Sequence, residues 1–459
     1  MDVKSKLTPH QLEIFEEITS KIKENLSRRV SSILLSDRFL SLTGAAGTGK
    51  SYLTSAIVDE IDNTLPVGQY DIQITAPTHK ALKVMTEMLF YSYNIGVNCS
   101  TIHSFLNIKQ SYDYETGAEI FTVDRAKDKV NRASLLVVDE SSMVSNELFE
   151  FILEIVRKGY INTVLFIGDS YQLLPVNQSS LNNVFRLKNQ YKLTKIVRQA
   201  KNSVIIELAT KIRVCIANEE YEDLRDILEN TPNSEDIQFF ESKKEFLEDF
   251  CKNENWHEED KILASFTNND VDSFNNILRR RFWQEQKIDN PKYLIQNDKI
   301  RFKKPSFDLY SDDYQKVIFQ NGEEIIIDKA ELIFDNELKL YYWQCLAVER
   351  SPLACFRVID PNSMTKFNDI LNDYAYSAKT RNFPFNMEWW DKYFKLRDSF
   401  SDIQYSFAST IHKLQGSTYE SAYIDLASLL NNRQISKDFL YRLVYVAITR
   451  AKNNVKILY

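Results

Sequence analysis

Short apolar runs alternate with helical periodicities over the first part of the chain. Phe39–Thr43 (FLSLT), Asp71–Ala76 (DIQITA), Leu135–Asp139 (LLVVD) and Thr163–Gly168 (TVLFIG) have strand length and the near-continuous hydrophobicity of strands buried on both faces. Tyr52–Ile61 and Lys80–Tyr93, between them, carry apolar residues at helical spacing. Strands alternating with helices predict an α/β fold around an open, mostly parallel sheet. A polar stretch with scattered aromatics, 109–131, interrupts the pattern. Within it Ser111–Tyr114, Glu115-Thr116-Gly117 and Glu119–Val123 predict strand, turn and strand, a hairpin inserted in the first block. A second α/β block begins near Tyr191, with strands at Lys261–Ser265, Ser421–Leu426 and Asn454–Leu458. From 288 to 399 the character changes again. Arg301–Lys304, Val317–Phe319, Glu323–Ile327, Leu338–Trp343 and Cys355–Ile359 predict short antiparallel strands, Asn321-Gly322 a turn, and 361–400 aromatic-rich helix.

Glycine is scarce, 10 in 459 residues, and half of it falls at Gly44, Gly47, Gly49, Gly168 and Gly416. Gly44-Ala45-Ala46-Gly47-Thr48-Gly49-Lys50-Ser51 lies between a predicted strand and a predicted helix and fits the phosphate-binding loop. Glycines let backbone N–H groups wrap a phosphate chain, and the following helix N-terminus favours the negative charge. Lys50 is placed to reach the β and γ phosphates, and the Ser51 hydroxyl to bind Mg²⁺. The apolar run before Asp139 carries it to a strand end as a second group for the metal, and Glu140 is placed to orient and deprotonate an attacking water. An acidic pair of this kind favours an ATPase over a kinase. Gln172, just past another apolar strand, can sense the γ-phosphate. Arg198 and Arg450 offer permanently ionised guanidinium groups suited to transition-state phosphate charge.

Composition narrows the partners. A net charge of −7 excludes a basic coat over the whole surface but leaves room for a local basic groove. The five cysteines are scattered without CxxC spacing, and the five histidines form no metal-ligand pattern, so a reducing, cytoplasmic setting is expected. No uncharged apolar run approaches the ~18 residues of a membrane span.

The motifs also form an ordered set. Leu7–Gln11, the glycine loop, Thr75–Ala81 (TAPTHKA), Ser100–Phe105 (STIHSF), Val138–Met143 (VDESSM), Gly168–Val176 (GDSYQLLPV), Leu193–Gln199 (LTKIVRQ), Phe407–Thr418 (FASTIHKLQGST) and Val444–Lys452 (VYVAITRAK) follow one another along the chain. This set resembles the superfamily 1 helicases of the RecD-like, 5′-to-3′ branch, and within it the Dda-like members of tailed bacteriophages. The resemblance runs from Leu7 to the C-terminus and is weak over 288–399.

The resemblance implies two RecA-like domains with ATP and Mg²⁺ as ligands. The first would comprise 1–106 and 132–190, with the hairpin 107–131 as a strand-separating pin. The second would comprise 191–287 and 400–459, interrupted by an SH3-like and helical insertion at 288–399. It implies that Gln11 contacts adenine, that residues 44–51 hold phosphate, that Asp139 and Glu140 serve metal and water, and that Gln172 couples hydrolysis to movement. Arg198 and Arg450 would act as arginine fingers. Thr410, His412, Lys413, Gln415 and Gly416 would face nucleotide and DNA.

Pro77, Thr78, His79, Thr101 and His103 sit where small hydroxyls and imidazoles can touch a polynucleotide without reading its sequence. The aromatics Tyr112, Tyr114 and Phe121 either stack on the first base pair at a fork or fill the hairpin's own interface. Glu388–Phe394 (EWWDKYF) reads as helix core before base platform. Arg279-Arg280-Arg281 and Lys299–Lys304 read either as phosphate contacts or as solvated faces.

The expected activity is an ATP-driven motor on single-stranded and forked DNA, acting as a monomer, alone or with replication or recombination proteins. An RNA-directed motor and a non-motor ATP switch are the alternatives. Stimulation of ATP hydrolysis by single-stranded DNA separates the motor from the switch.

Overall fold

The computed structural model describes residues 6–459 apart from 65–70, 79–80, 83–84, 90–96, 113–118, 124–130, 176–181, 198–202, 309–315, 348–353 and 433. The chain divides into two compact units. One comprises Met1–Lys109, Val123–Asp249 and Leu414–Tyr459; the other comprises Gln110–Thr122 and Phe250–Lys413.

As far as Leu193 the strands are β1 (Phe39–Gly44), β2 (Ile72–Ala76), β3 (Asn98–Thr101), then β4 (Ile108–Tyr112) and β5 (Glu119–Val123) of the hairpin, β6 (Ala133–Val138), β7 (Ile161–Gly168) and β8 (Asn189–Leu193), all in the first unit except Gln110–Thr122 of the hairpin, which belongs to the other. Six of them form one sheet in the order β3-β2-β6-β7-β1-β8, with parallel pairing throughout. Alternate residues of the apolar runs face opposite layers. Leu135 and Val137 of β6, and Leu165 and Ile167 of β7, pack with helices α1 (Pro9–Ser27) and α2 (Lys50–Thr64). Leu136, Val138, Val164 and Phe166 pack instead with the helix Asn146–Arg157. Burial on both faces explains why these strands read as unbroken hydrophobic runs. The sheet runs through Leu193, past the expected boundary after residue 190, because β8 pairs with β1 over Asn189–Leu193.

The rest of this unit is a second parallel set. Ala451–Leu458 lies between Tyr419–Asp425 and Ile237–Phe240. The helices Val204–Asn218 and Lys437–Ile448 pack together, and every residue from Tyr441 to Ile448 is buried. The expected second RecA-like domain, 191–287 with 400–459, is therefore divided between the two compact units at Asp249 and Leu414.

In the other unit Lys261–Ser265 pairs in parallel with Ala408–Thr410. The inserted segment is antiparallel, as its short apolar runs predict. Lys299–Phe302 is flanked by Glu324–Ile326 and Ile403–Tyr405, so pairing carries this block past residue 399. Lys329–Asp335, Leu340–Ala347 and Ala354–Ile359 form a second small sheet. Asn321-Gly322 is a turn, with Gly322 at φ +80°, but it links strands of different sheets. The helices Met364–Lys379 and Phe385–Asp398 follow, and Trp390 and Phe394 are buried and stacked at 5.6 Å, as a core reading requires. Trp389 is half-buried beneath Arg381 and Lys392, each 4.6 Å from its ring centre.

The phosphate reading of Arg279 is corrected by its surroundings. Its guanidinium is buried and makes two charge-assisted bonds to Asp298, at 2.7 and 2.8 Å, and a third to the Lys292 carbonyl at 2.7 Å. A buried guanidinium held this way is an internal tie. Arg281 pairs with Glu285 one helical turn on, Arg301 with Glu324, and Lys303 with Asp402.

Candidate nucleotide and polynucleotide site

The sheet order decides which loops meet. The carboxyl ends of β6, β7 and β1 are adjacent, and they carry Asp139-Glu140, Asp169 and the glycine loop. Thr43 is level with Gly168 across the β1–β7 pair, which sets the glycine loop beside the Asp169–Gln172 turn. Loops at the carboxyl ends of parallel strands are where α/β sheets take ligands.

The glycine loop is shaped by its own backbone. Gly47 and Gly49 have φ of +78° and +83°, a region costly for residues with a Cβ. A Cβ on Gly49 would lie 2.5 Å from the Gln11 amide nitrogen, and one on Gly44 would lie 2.6 Å from Thr48 Oγ1. Lys50 Nζ donates to the carbonyls of Gly44 at 2.7 Å and Ala45 at 3.0 Å, so the ammonium is held over the loop. Thr48 Oγ1 donates to the Ala45 carbonyl at 2.8 Å. The Val197 N–H donates to the Gly47 carbonyl at 2.9 Å, fastening the segment that leads to Arg198 onto the loop. Ser51, half-buried, lies in the first turn of α2, where helix N–H groups point outward.

Gln11 is buried and fully engaged. Its amide oxygen accepts from the Thr8 N–H at 3.1 Å, closing a capping box, and its amide nitrogen donates to the Thr48 carbonyl at 3.1 Å. In this arrangement it braces the glycine loop from behind.

Asp139 follows β6, its N–H donating to the Thr75 carbonyl at 2.8 Å and its Oδ1 accepting from the Glu140 N–H at 2.9 Å. Burial, with the neighbouring Glu140 adding to it and Lys50 opposing, pushes the Asp139 carboxyl up to about 7. Glu140 has φ +48°, a strained conformation for a residue with a side chain. Gly416, at φ +72°, packs against it. A Cβ on Gly416 would sit 3.6 Å from Glu140 Cγ and 3.0 Å from Ala81 Cβ. The motif containing Gln415 and Gly416 thus reaches the acidic pair from far along the sequence.

Arg450 is buried. Its Nε donates to the Val446 carbonyl at 3.1 Å and its Nη1 to the Ser417 carbonyl at 3.1 Å. Burial lowers its pKa, and Glu140 is the foremost group raising it, which puts the guanidinium within electrostatic reach of the acidic pair. Gln172 is buried with its amide oxygen accepting from Ser142 Oγ at 3.5 Å.

Sequence reasoning missed two residues on the helix Lys437–Ile448. The Tyr445 hydroxyl donates to Asp169 Oδ2 at 2.7 Å and accepts the Ala46 N–H at 3.3 Å. Arg442, bonded to Asp438, donates to the carbonyls of Ser170 at 2.7 Å and Gln172 at 3.0 Å. Tyr445 lies inside an apolar run and its partners are distant in sequence; only the polar atom in that run hinted at a buried partner.

Of the proposed DNA-contacting residues, Pro77 and Thr78 follow β2, Thr101 ends β3 and His103 lies just beyond it, and Ala76 is level with Thr101 across that pair. Thr78 and Thr101 also cap the backbone, accepting from the N–H groups of Ala81 and Ser104 at 3.3 Å each. Thr410 is buried, His412 half-buried and Lys413 exposed in the other unit. Burial lowers the pKa of His103 and of His412; that of Lys413 is lowered by partial burial first and then by Lys303 and Arg301. Tyr112 and Phe121 fall in β4 and β5. His79, Tyr114 and Arg198 lie outside the described residues.

The residues present fit a magnesium–nucleotide complex. Backbone conformations and the helix start make a phosphate cradle, Lys50 supplies a cation, and Ser51 and Asp139 supply hard oxygen donors. Among the described residues, the buried Ser141 Oγ, Ser417 Oγ and Gln415 Nε2, flanking Glu140 and Gly416 in sequence, have no hydrogen-bond partner, which suits a polar ligand there.

Residues 27–226 match the AAA domain family, and 405–458 match the UvrD-like helicase C-terminal domain. The chain is 26% identical over 467 residues to the ATP-dependent DNA helicase dda of Enterobacteria phage T4, covering 96% of this chain and 99% of that one. It is 25% identical over 449 residues to the ATP-dependent DNA helicase Pif1 of Campylobacter jejuni, covering 90% and 86%. A solved structure of Pif1 helicases, described as two coordinating copies unwinding forked double-stranded DNA, aligns with a TM-score of 0.52 at 17% identity, covering 98% of this chain and 92% of that one. That likeness bears on fold and agrees with the RecA-like α/β architecture. In its ordered motifs, the site they build and its match to these full-length relatives, the chain is similar over nearly its whole length to the Dda and Pif1 helicases.

Proposed function

We propose that this protein is an ATP-dependent DNA helicase that moves 5′ to 3′ on single-stranded DNA and unwinds duplex at a fork, working as a monomer in the cytoplasm. The observation that carries the reading is the convergence of the glycine loop, Asp139-Glu140, the Asp169–Gln172 turn and the helix Lys437–Ile448 at one end of one sheet. A phosphate loop alone would serve a switch. A C-terminal helix bonded to two nucleotide motifs gives hydrolysis something to move.

Lys50 and the loop N–H groups hold the phosphates, and Lys50 leaves its carbonyl partners to do so. Ser51 and Asp139 hold a divalent cation, which supplies charge neutralisation on the phosphates. Glu140 orients the attacking water and takes its proton. Arg198 and Arg450 meet the developing phosphate charge, Arg450 by exchanging carbonyl partners for phosphate oxygens. Gln172 responds to loss of the γ-phosphate. Pro77, Thr78, His79, Thr101 and His103 touch the DNA strand, as do Thr410, His412 and Lys413. The hairpin β4–β5 meets the fork, and the binding energy of ATP shifts a two-state equilibrium that hydrolysis resets.

The test is strand displacement on 5′-tailed and 3′-tailed duplexes, with a matched RNA-tailed duplex, with and without ATP. ATP-dependent displacement of the 5′-tailed DNA duplex alone is expected. Displacement confined to the 3′-tailed duplex overturns the polarity, and none on any substrate, with no rise in ATP hydrolysis on adding single strands, overturns the motor.

A further inference from the structure

Tyr445 joins three elements that are far apart in the chain. Its hydroxyl has one hydrogen to give, and gives it to Asp169; its lone pair accepts from Ala46 in the glycine loop. Asp169 is buried, and its other oxygen accepts the Tyr171 N–H at 3.0 Å, so the carboxylate pins the turn that carries Gln172. Arg442, one turn earlier on the same helix face, grips that turn through two carbonyls. The position of the Gln172 turn is therefore dictated by the helix Lys437–Ile448, and that helix is tied to the phosphate loop through the Tyr445 hydroxyl.

We propose that Tyr445 is a positioning residue that couples occupancy of the phosphate loop to the Gln172 turn, and through it to the polynucleotide-dependent step of the cycle. The inference rests on the helicase reading above and goes beyond it by naming the connecting atom. A single backbone N–H cannot fully serve both a neutral hydroxyl and a charged phosphate oxygen, and the charged acceptor is the stronger. Phosphate arriving at Ala46 displaces the hydroxyl on that side and leaves its bond to Asp169 as the sole tie on the other. The helix is then free to shift with the Gln172 turn, to which Arg442 still binds it. No covalent step is involved.

The test is steady-state ATP hydrolysis by the full chain with and without oligo(dT), comparing wild type with Tyr445→Phe. The variant keeps the buried ring and loses only the hydroxyl. The ratio of DNA-stimulated to basal turnover is expected to fall by about tenfold, toward the lower end of the usual range for coupling between sites. KM for ATP is expected to stay level or fall, because Ala46 is released. Arg442→Gln frees the carbonyls of Ser170 and Gln172 while leaving the hydroxyl, and is expected to lower the same ratio without raising KM; it carries the test if Tyr445→Phe does not fold. A stimulation ratio within about twofold of wild type overturns the coupling, as does a rise in KM proportional to the lost turnover. No stimulation in the wild type would overturn the helicase reading and the coupling with it.

Discussion

At the scale of single residues, the acidic pair and Gly416 give the sharpest expectations. Asp139 titrates near 7 in the fold against an ordinary value near 3.8. The folded state therefore holds a proton that the unfolded chain releases, and this contribution to stability is lost as pH rises from about 4 to about 7. Asp139→Asn keeps the shape without the charge. Without nucleotide, it should melt above wild type at pH ~8 by the equivalent of ~1 kcal/mol or more, with the gap closing near pH ~4. Thermal unfolding at the two pH values measures this, and a gap independent of pH refutes it. Gly416→Ala places a Cβ at φ +72° and 3.0 Å from Ala81. A cost of ~1–2 kcal/mol in stability follows from the backbone alone. Because the site also abuts Glu140, turnover should fall further than stability does, which parallel melting and ATPase measurements resolve. Lys50→Ala should abolish DNA-stimulated hydrolysis with no change in the melting curve beyond ~1 kcal/mol, since among the described residues the hydrogen bonds of Lys50 go to two loop carbonyls.

At the scale of elements, α1 performs two tasks through one cap. Thr8→Ala removes the capping hydroxyl and should cost about 1 kcal/mol, with KM for ATP unchanged. Gln11→Ala removes the capping partner and the brace on the Thr48 carbonyl together. It should raise KM for ATP and for GTP in parallel, because a slack glycine loop weakens any triphosphate. A loss confined to ATP would instead place adenine on Gln11. The elements legible in the sequence are those whose own residues decide them. Doubly buried strands such as β6 and β7 show as unbroken apolar runs, and the glycine loop declares itself by spacing. Lys329–Asp335 was not legible, because none of its side chains is buried, exposure does not alternate regularly along it, and it includes Lys329, Glu331 and Asp335. The roles of Tyr445 and Arg442 were hidden for a different reason: a tyrosine in an apolar run and an arginine next to it name no partner until the chain has folded. Arg279 shows the converse error, since a run of three arginines suggests phosphate and says nothing of the Asp298 carboxylate that holds the first of them.

At the scale of the whole molecule, charge sets how DNA can be held. The chain carries a net charge of −7, and its basic runs at 279–281 and 299–304 are partly neutralised by Asp298, Glu285, Glu324 and Asp402. The residues proposed to touch DNA are mostly neutral, comprising a proline, three threonines, three histidines and Lys413. Burial holds His103 and His412 further toward neutrality. Each phosphate neutralised on a single strand contributes about −0.7 to the slope of log affinity against log salt concentration. One lysine and a few incidental cations should then give a slope of about −2, shallow for a protein that tracks a polyanion. The grip must rest on hydroxyl and backbone bonds to phosphate and on stacking, terms that salt hardly screens and that suit a motor which must release each step. Anisotropy titrations of labelled oligo(dT) over a salt series measure the slope directly. A value steeper than about −5 would mean that a basic track outside the proposed residues carries the strand.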